Sequence, residues 1–202
     1  MSRLSSGMRI TKAADDAAGL SISERLKAQV RGFSQAQRNA NDGVSLLQTA
    51  EGALGEIGDM LTRMRELAVQ SANGTLGTDE PSSLNDEFGA LRSEIDRIAN
   101  ATEFNGIQLI DGSLSSGVAM QVGIANVAAN DRISITLTDA DATAIGITGG
   151  MALTTATTSQ NSIVLIDSAI TNIANRRGDI GAVQNRLTTT VNNLQTMQEN
   201  LS

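Results

Sequence analysis

Between Ile22 and Ala68 the apolar residues step by three or four without a break: Ile22, Leu26, Val30, Phe33, Ala36, Ala40, Val44, Leu47, Ala50, Leu54, Ile57, Leu61, Met64 and Ala68. The 46-residue span is covered in 13 steps, about 3.5 residues each. That spacing keeps one face of a helix turned toward a partner helix over many turns. A helix of about 50 residues is roughly 75 Å long, more than the diameter of an ordinary small domain. The segment therefore predicts an elongated, rod-like molecule whose other helices return alongside it. Aromatic residues make up only 1% of the 202-residue chain, with three Phe and no Trp or Tyr. The core has to be built from small and aliphatic side chains, which suits helices packed closely along their length. The single proline, Pro81, leaves helices free to run far.

Five glycines interrupt the seam segment: Gly32, Gly43, Gly52, Gly55 and Gly58. Each costs about 0.5–1 kcal/mol relative to alanine in a helix interior. Propensity alone does not hold such a helix; packing against neighbours must, and the missing side chains let those neighbours come close.

The remainder of the chain supplies the neighbours. Residues 1–19 are rich in Ser, Gly and Ala without a sustained period and read as extended or turn-like. Asp15 and Asp16 stand where a side-chain oxygen and negative charge favour the start of the following helix. "NGTLGTDEPSS" is a connector, and Leu84, Phe88, Leu91, Ile95 and Ile98 then mark a second helix from about Pro81 to Thr102. "VAMQVG" and "RISITL" read as strands, the latter with Ile133, Ile135 and Leu137 in clean alternation, so a small hairpin region lies between about Gly106 and Asp139. Residues 140–160, rich in Ala, Thr and Gly, read as an exposed connection whose hydroxyls are open to glycosylation. Helical spacing resumes at Ile163 and runs through Ile166, Ile170, Ile173, Ile180, Leu187 and Leu194, skipping one position at Arg177. Val183 and Met197 are placed to fill that seam beside Gln184 and Gln198. The fold expected is mainly α: an antiparallel helical bundle or coiled coil with one long, one shorter and one returning helix, and a small β-hairpin region.

With no His and no Cys, zinc sites built on thiolate or imidazole, Cys–His pairs and Ser–His–Asp triads are excluded. No cofactor or metal site is indicated, and a non-enzymatic protein is expected. The net charge of −7 argues against nucleic-acid binding, and the local basic run Arg25, Lys27, Arg31 and Arg38 reads as a solvated helix face with an inter-chain role. No apolar run reaches the length of a membrane span, and no conventional signal peptide is visible.

One surface raises a question. A second stripe, Leu46, Ala53, Met60 and Leu67, runs beside the seam at intervals of seven. A three-helix bundle needs a wider apolar face than a two-stranded coil, which accounts for Leu46 and Ala53. At Met60 and Leu67 the stripe carries Arg63 between its two members. A cation beside an exposed leucine marks either the flank of a wide core or a surface awaiting a partner.

Seven segments make a specific resemblance. "RLSSGMRI", "DDAAGLSIS", "RNANDGVSLLQTAEGAL", "MRELAVQSANG", "EIDRIANATEFNGIQLIDGS", "MQVG" and "GDIGAVQNRL" resemble bacterial flagellin, in that family's order and spacing, over nearly the whole chain outside residues 140–160. The resemblance implies a structural subunit of the flagellar filament, exported through the flagellum's own channel and located outside the cell. It implies other flagellin subunits, a flagellar export chaperone and a filament cap as partners, with no nucleic acid and no membrane insertion. It divides the chain into a spoke-like segment at 1–19, an N-terminal rod part at 20–139, a remnant of the variable region at 140–160 and a returning rod helix at 161–202. It also implies a fragment, because family members carry further helical segments at both ends. The family's contact surface, which touches the next subunit and in many members is read by a Toll-like innate immune receptor, maps onto Arg63, Leu67 and Glu87. A cell-surface adhesin or carbohydrate-binding protein reusing the same rod is the alternative, supported only by the Thr-rich stretch.

Overall fold

The computed structural model describes residues 16–73 and 80–201, with the backbone alone at Glu80. Its elements in chain order are α1 (Ala17–Ser71), α2 (Glu80–Ala101), β1 (Glu103–Phe104), β2 (Ile107–Gln108), β3 (Val118–Gln121), α3 (Ala128–Asp131), β4 (Arg132–Ile135) and α4 (Ala156–Leu201). The expected mainly α architecture, with one long, one shorter and one returning helix, is the one observed. The readings of residues 1–15 as an extended segment, of Asp15 as a cap and of residues 74–79 as a connector lie outside the described residues.

α1 is a single 55-residue helix, continuous through its glycines. It begins at Ala17, five residues before the periodic pattern starts at Ile22, because Asp16 supplies the cap. The Asp16 carboxylate accepts hydrogen bonds from the backbone N–H of Ala18 (3.0 Å) and Gly19 (2.9 Å), satisfying two donors that have no partner inside the helix. In α2, Pro81 falls in the first turn, where its missing N–H costs nothing.

The chain divides into two compact units. The larger comprises residues 44–119 and 134–185. Within it the contacts of α1 with α4 run in opposite directions along the two helices. Ser71 meets Ser159, Arg65 meets Asp167, and Glu51 meets Gln184, so the pair is antiparallel. The core consists of Leu47, Leu54, Ile57, Leu61, Met64 and Leu67 from α1, Phe88, Ile95 and Ala99 from α2, and Ile166, Ala169, Ile173 and Ile180 from α4, all buried. At about 25 cal/mol per Å² of apolar surface, each large side chain among them contributes about 1.5–3 kcal/mol.

β1 and β2 form a two-residue antiparallel hairpin pairing Glu103 with Gln108 and Phe104 with Ile107. Its turn is Asn105-Gly106, with φ of 51° and 76°. Two successive positive φ values match the right-handed twist of a tight hairpin, and Asn-Gly is the dipeptide that adopts them most readily. β3 pairs with β4 in a second two-stranded sheet. In and after β4, Ile133, Ile135 and Leu137 are buried while Arg132, Ser134 and Thr136 are exposed, as the alternation predicts.

Residues 140–155 depart from the expected exposed connection. Ala140, Ala142, Ile145, Ile147 and Leu153 are all at most 1% exposed. The segment is fastened at several points: Ala142 N–H donates to the Asp96 carboxylate (2.8 Å), Leu153 N–H to the Asn85 side chain (2.9 Å), and Ser71 Oγ to the Leu153 carbonyl (2.9 Å). The Arg176 guanidinium donates to the carbonyl of Asp139, and its partial burial lowers its pKa against the opposing pull of Asp139 and Asp141. The abundance of Ala, Thr and Gly suggests exposure, but Ile145, Ile147 and Leu153 anchor the segment in the core with Ala140 and Ala142 beside them. The tip at Gly149-Gly150, Ala144, Gly146 and the hydroxyls of Thr143, Thr148, Thr154, Thr155 and Thr157 face solvent. α4 then starts at Ala156, five residues before the expected boundary. Its seam also differs in detail: Ser159, Ser162 and Ala169 are buried, Ile163 and Ile170 are half-buried, and Met197 is 42% exposed rather than filling a gap.

The smaller unit contains the described residues of 16–43, 120–133 and 186–201. Its core is thin, with Ala36, Ala40, Val122, Ile133, Leu187 and Leu194 buried. The loop after β3 is held by its own polar groups. Asp131 accepts from the N–H groups of Val122 and Gly123 through its carbonyl and from Val127 N–H through its carboxylate, while Gln121 donates to the carbonyls of Gly123 and Ala125. Asn39 Nδ2 donates to the Gln121 carbonyl at 3.0 Å, fixing the loop to α1. At Gly32 an added Cβ would stand 2.8 Å from Ile124 Cγ2, so this glycine is where the loop comes closest. Toward the start of α1 the seam loses its cover: Leu26, Val30 and Phe33 are half-buried and Ile22 is 60% exposed.

Candidate partner-contact patch

Arg63 and Glu87, 24 positions apart, meet across α1 and α2 of the larger unit. Arg63 Nε donates to Glu87 Oε1 at 2.9 Å and Nη2 approaches the same oxygen at 2.8 Å. Nη1 turns the other way and donates to Glu66 Oε2 at 3.0 Å, one turn along α1. One guanidinium thus spans two carboxylates, with Nε and Nη2 on one and Nη1 on the other, using the fixed geometry of its planar fork of donors. The hydrogen bond that Arg63 donates to Glu87 is the main influence raising its pKa, followed by the one it donates to Glu66. Arg63 is 49% exposed and Glu87 43%, so the pair is solvated and adds little to stability. What it contributes is position: two opposite charges fixed on adjoining helices.

Leu67 is not part of this exposed surface. It is 0% accessible and belongs to the core, so the reading of an exposed leucine beside Arg63 is corrected. With α2 packed on one side of α1 and α4 on the other, the buried face is wide enough to take in Leu46 and Leu67, leaving Ala53 and Met60 half-buried at its edge.

A second ion pair escaped the sequence reading. Arg65 Nε donates to Asp167 Oδ1 at 2.6 Å, and this bond is the main cause of the raised Arg65 pKa. Val69, one turn beyond Arg65, is 49% exposed, and Val164, one turn before Asp167, is 66% exposed. The partners lie 102 residues apart, and only the antiparallel register of α1 and α4 brings them together. Among the described residues no group of His, Cys, Asp or Glu is placed to hold a metal ion, and no helix is long and apolar enough to cross a membrane.

Residues 1–115 match the family model described as the bacterial flagellin N-terminal helical region, and residues 163–202 match that of the bacterial flagellin C-terminal helical region. The chain is 47% identical over 202 residues to a flagellin of Halalkalibacterium halodurans, covering 100% of this chain and 73% of that protein. It is 39% identical over 209 residues to the flagellar filament 30.7 kDa core protein of Treponema maltophilum, covering 98% and 73%. The crystal structure of Bacillus cereus flagellin superposes with a TM-score of 0.67 at 35% identity, covering 78% of this chain and 88% of that one.

Proposed function

The chain belongs to the bacterial flagellin family, whose members are subunits of the flagellar filament outside the cell, and we propose that it polymerises with copies of itself into a filament that serves motility. Export through the flagellum's own channel, with a chaperone before export and a cap at the growing tip, belongs to the same reading. The observation that carries it is the match of both helical regions of flagellin, in order, on one chain that also folds as this family's helices do. Expression, in a flagellin-null strain, of a full-length flagellin that contains this chain tests it directly. Filaments in electron micrographs and restored swimming are expected; secretion without filaments would reject it.

Within this reading Arg63 and Glu87 present the contact made with the next subunit, and Leu67 supports them from the core rather than touching the partner. The same pair is the part of the surface that a Toll-like innate immune receptor would read. The solvent-facing ion pair supports both roles, because its charges are held in place yet accessible. Receptor recognition is checked by a reporter assay on cells carrying the receptor. An undiminished response to Arg63→Ala combined with Glu87→Ala would exclude the assignment.

A further inference from the structure

The two units differ sharply in charge. Among the described side chains the smaller carries six Lys or Arg against five Asp or Glu, whereas the larger carries six against fourteen. In the smaller unit, Ile22, Leu26 and Val30 lie at helical spacing along α1 and, with Lys27, Arg31 and Leu201, line an open groove of about 510 Å³. Arg31 makes no ion pair with any described residue, and Lys27 is engaged only by its neighbour Glu24 at 3.1 Å. The groove is therefore an apolar strip with cations on its rim and nothing in the described chain covering it.

A complementary strip exists on the larger unit. Gly52, Glu56 and Asp59 follow one another at intervals of four and three, with Gly55 next to Glu56, on the side of α1 opposite the core. Glu56 and Asp59 are exposed and form no hydrogen bond or ion pair with a described residue. A Cβ added at Gly52 or Gly55 would meet nothing within 4 Å, so bare helix backbone faces solvent between the two carboxylates and the start of the strip. Such a surface accepts projecting aliphatic side chains at close range while the flanking carboxylates face cations.

We propose that the groove at Ile22, Leu26, Lys27 and Arg31 of one copy docks on the Gly52–Asp59 strip of a second copy, a contact whose strength is set by ionic strength. This rests on the reading of the chain as a filament subunit and names the surfaces involved. A second copy is the occupant because each chain carries both halves. Two different but complementary faces on one chain make a heterologous contact, which repeats from copy to copy without closing. The charge match between the two strips supplies orientation, and charges near the surface are strongly screened by salt.

Sedimentation velocity of the full chain at about 10 mM and about 0.5 M salt tests this. Self-association is expected to weaken at least about tenfold at the higher salt, as screening of several pairs requires. Lys27→Glu with Arg31→Glu, and separately Glu56→Lys with Asp59→Lys, should each abolish it at low salt, and mixing the two variants should restore it as a mixed species. Gly55→Leu should melt higher than the parent yet associate more weakly, separating the contact from the fold. Failure of the parent to associate at low salt, unchanged association in the charge-reversed variants, or no recovery on mixing would each overturn the proposal. Filaments formed in cells by a full-length flagellin carrying the charge reversals would overturn this contact and leave the filament reading standing, whereas absence of filaments from its unsubstituted parent would reject that reading itself.

Discussion

Leu61 is fully buried in the core of the larger unit, and its truncation leaves a cavity there. Leu61→Ala should therefore lose about 2–5 kcal/mol, measured by chemical denaturation. Glu66→Ala, five residues along the same helix and on its solvated side, should stay within about 0.5 kcal/mol. Similar denaturation midpoints for the two variants would mean the faces are misassigned. Arg63→Ala should leave the melting temperature nearly unchanged while weakening filament contacts and receptor binding about tenfold or more, the effect of removing an arginine near an interface centre. A large drop in melting temperature with assembly intact would instead make Arg63 a fold residue. At this scale the sequence was a good guide where one helix face decides burial: Leu47, Ile57, Leu61 and Leu187 are all core. It failed at Leu67, because the breadth of a buried face depends on how many helices adjoin it, and spacing along one helix does not count them.

The elements divide in the same way. The Ile133, Ile135 and Leu137 alternation and the Asn105-Gly106 turn were legible, since both rest on local geometry. The burial of residues 140–155 was not, because its fastenings reach Ser71, Asn85 and Asp96, far away in sequence. Turns held by carboxylates should respond to acid. Asp111 has its pKa lowered below 3.8, first by the hydrogen bond from the Ser113 side chain and then by that from the Ser113 backbone N–H, which donates to Asp111 Oδ1 at 3.0 Å. A folded-state pKa below the unfolded one means stabilisation that is present above the unfolded value and lost as pH falls through the folded one. Chemical-shift titration should show Asp111 titrating below pH 3.8 and the 111–115 turn loosening only under that acidity. Asp111→Asn should abolish the step. A midpoint at or above 3.8 would contradict the geometry.

For the whole molecule, the periodic pattern identified the helices and their order, but it gave no sign that the chain settles into two compact units with different charge, because charge placement follows no helical period. The 140–155 segment has a consequence at this scale. Ile147 and Leu153 are sealed into the larger unit, yet Gly149 and Gly150 between them face outward, and at Gly150 an added Cβ would meet nothing within 4 Å. Anchors on both sides of an open tip make a splice point. Lengthening a flexible loop costs only about 0.6 kcal/mol for each doubling, so a Gly/Ser peptide of about ten residues inserted between Gly149 and Gly150 should lower the melting temperature by no more than about 4 °C. The same peptide placed between Ile145 and Gly146 should unseat a buried anchor and cost far more; equal losses at the two positions would refute the distinction. If the first insertion is as mild as expected, the tip is an address at which a foreign epitope or enzyme can be displayed once per subunit.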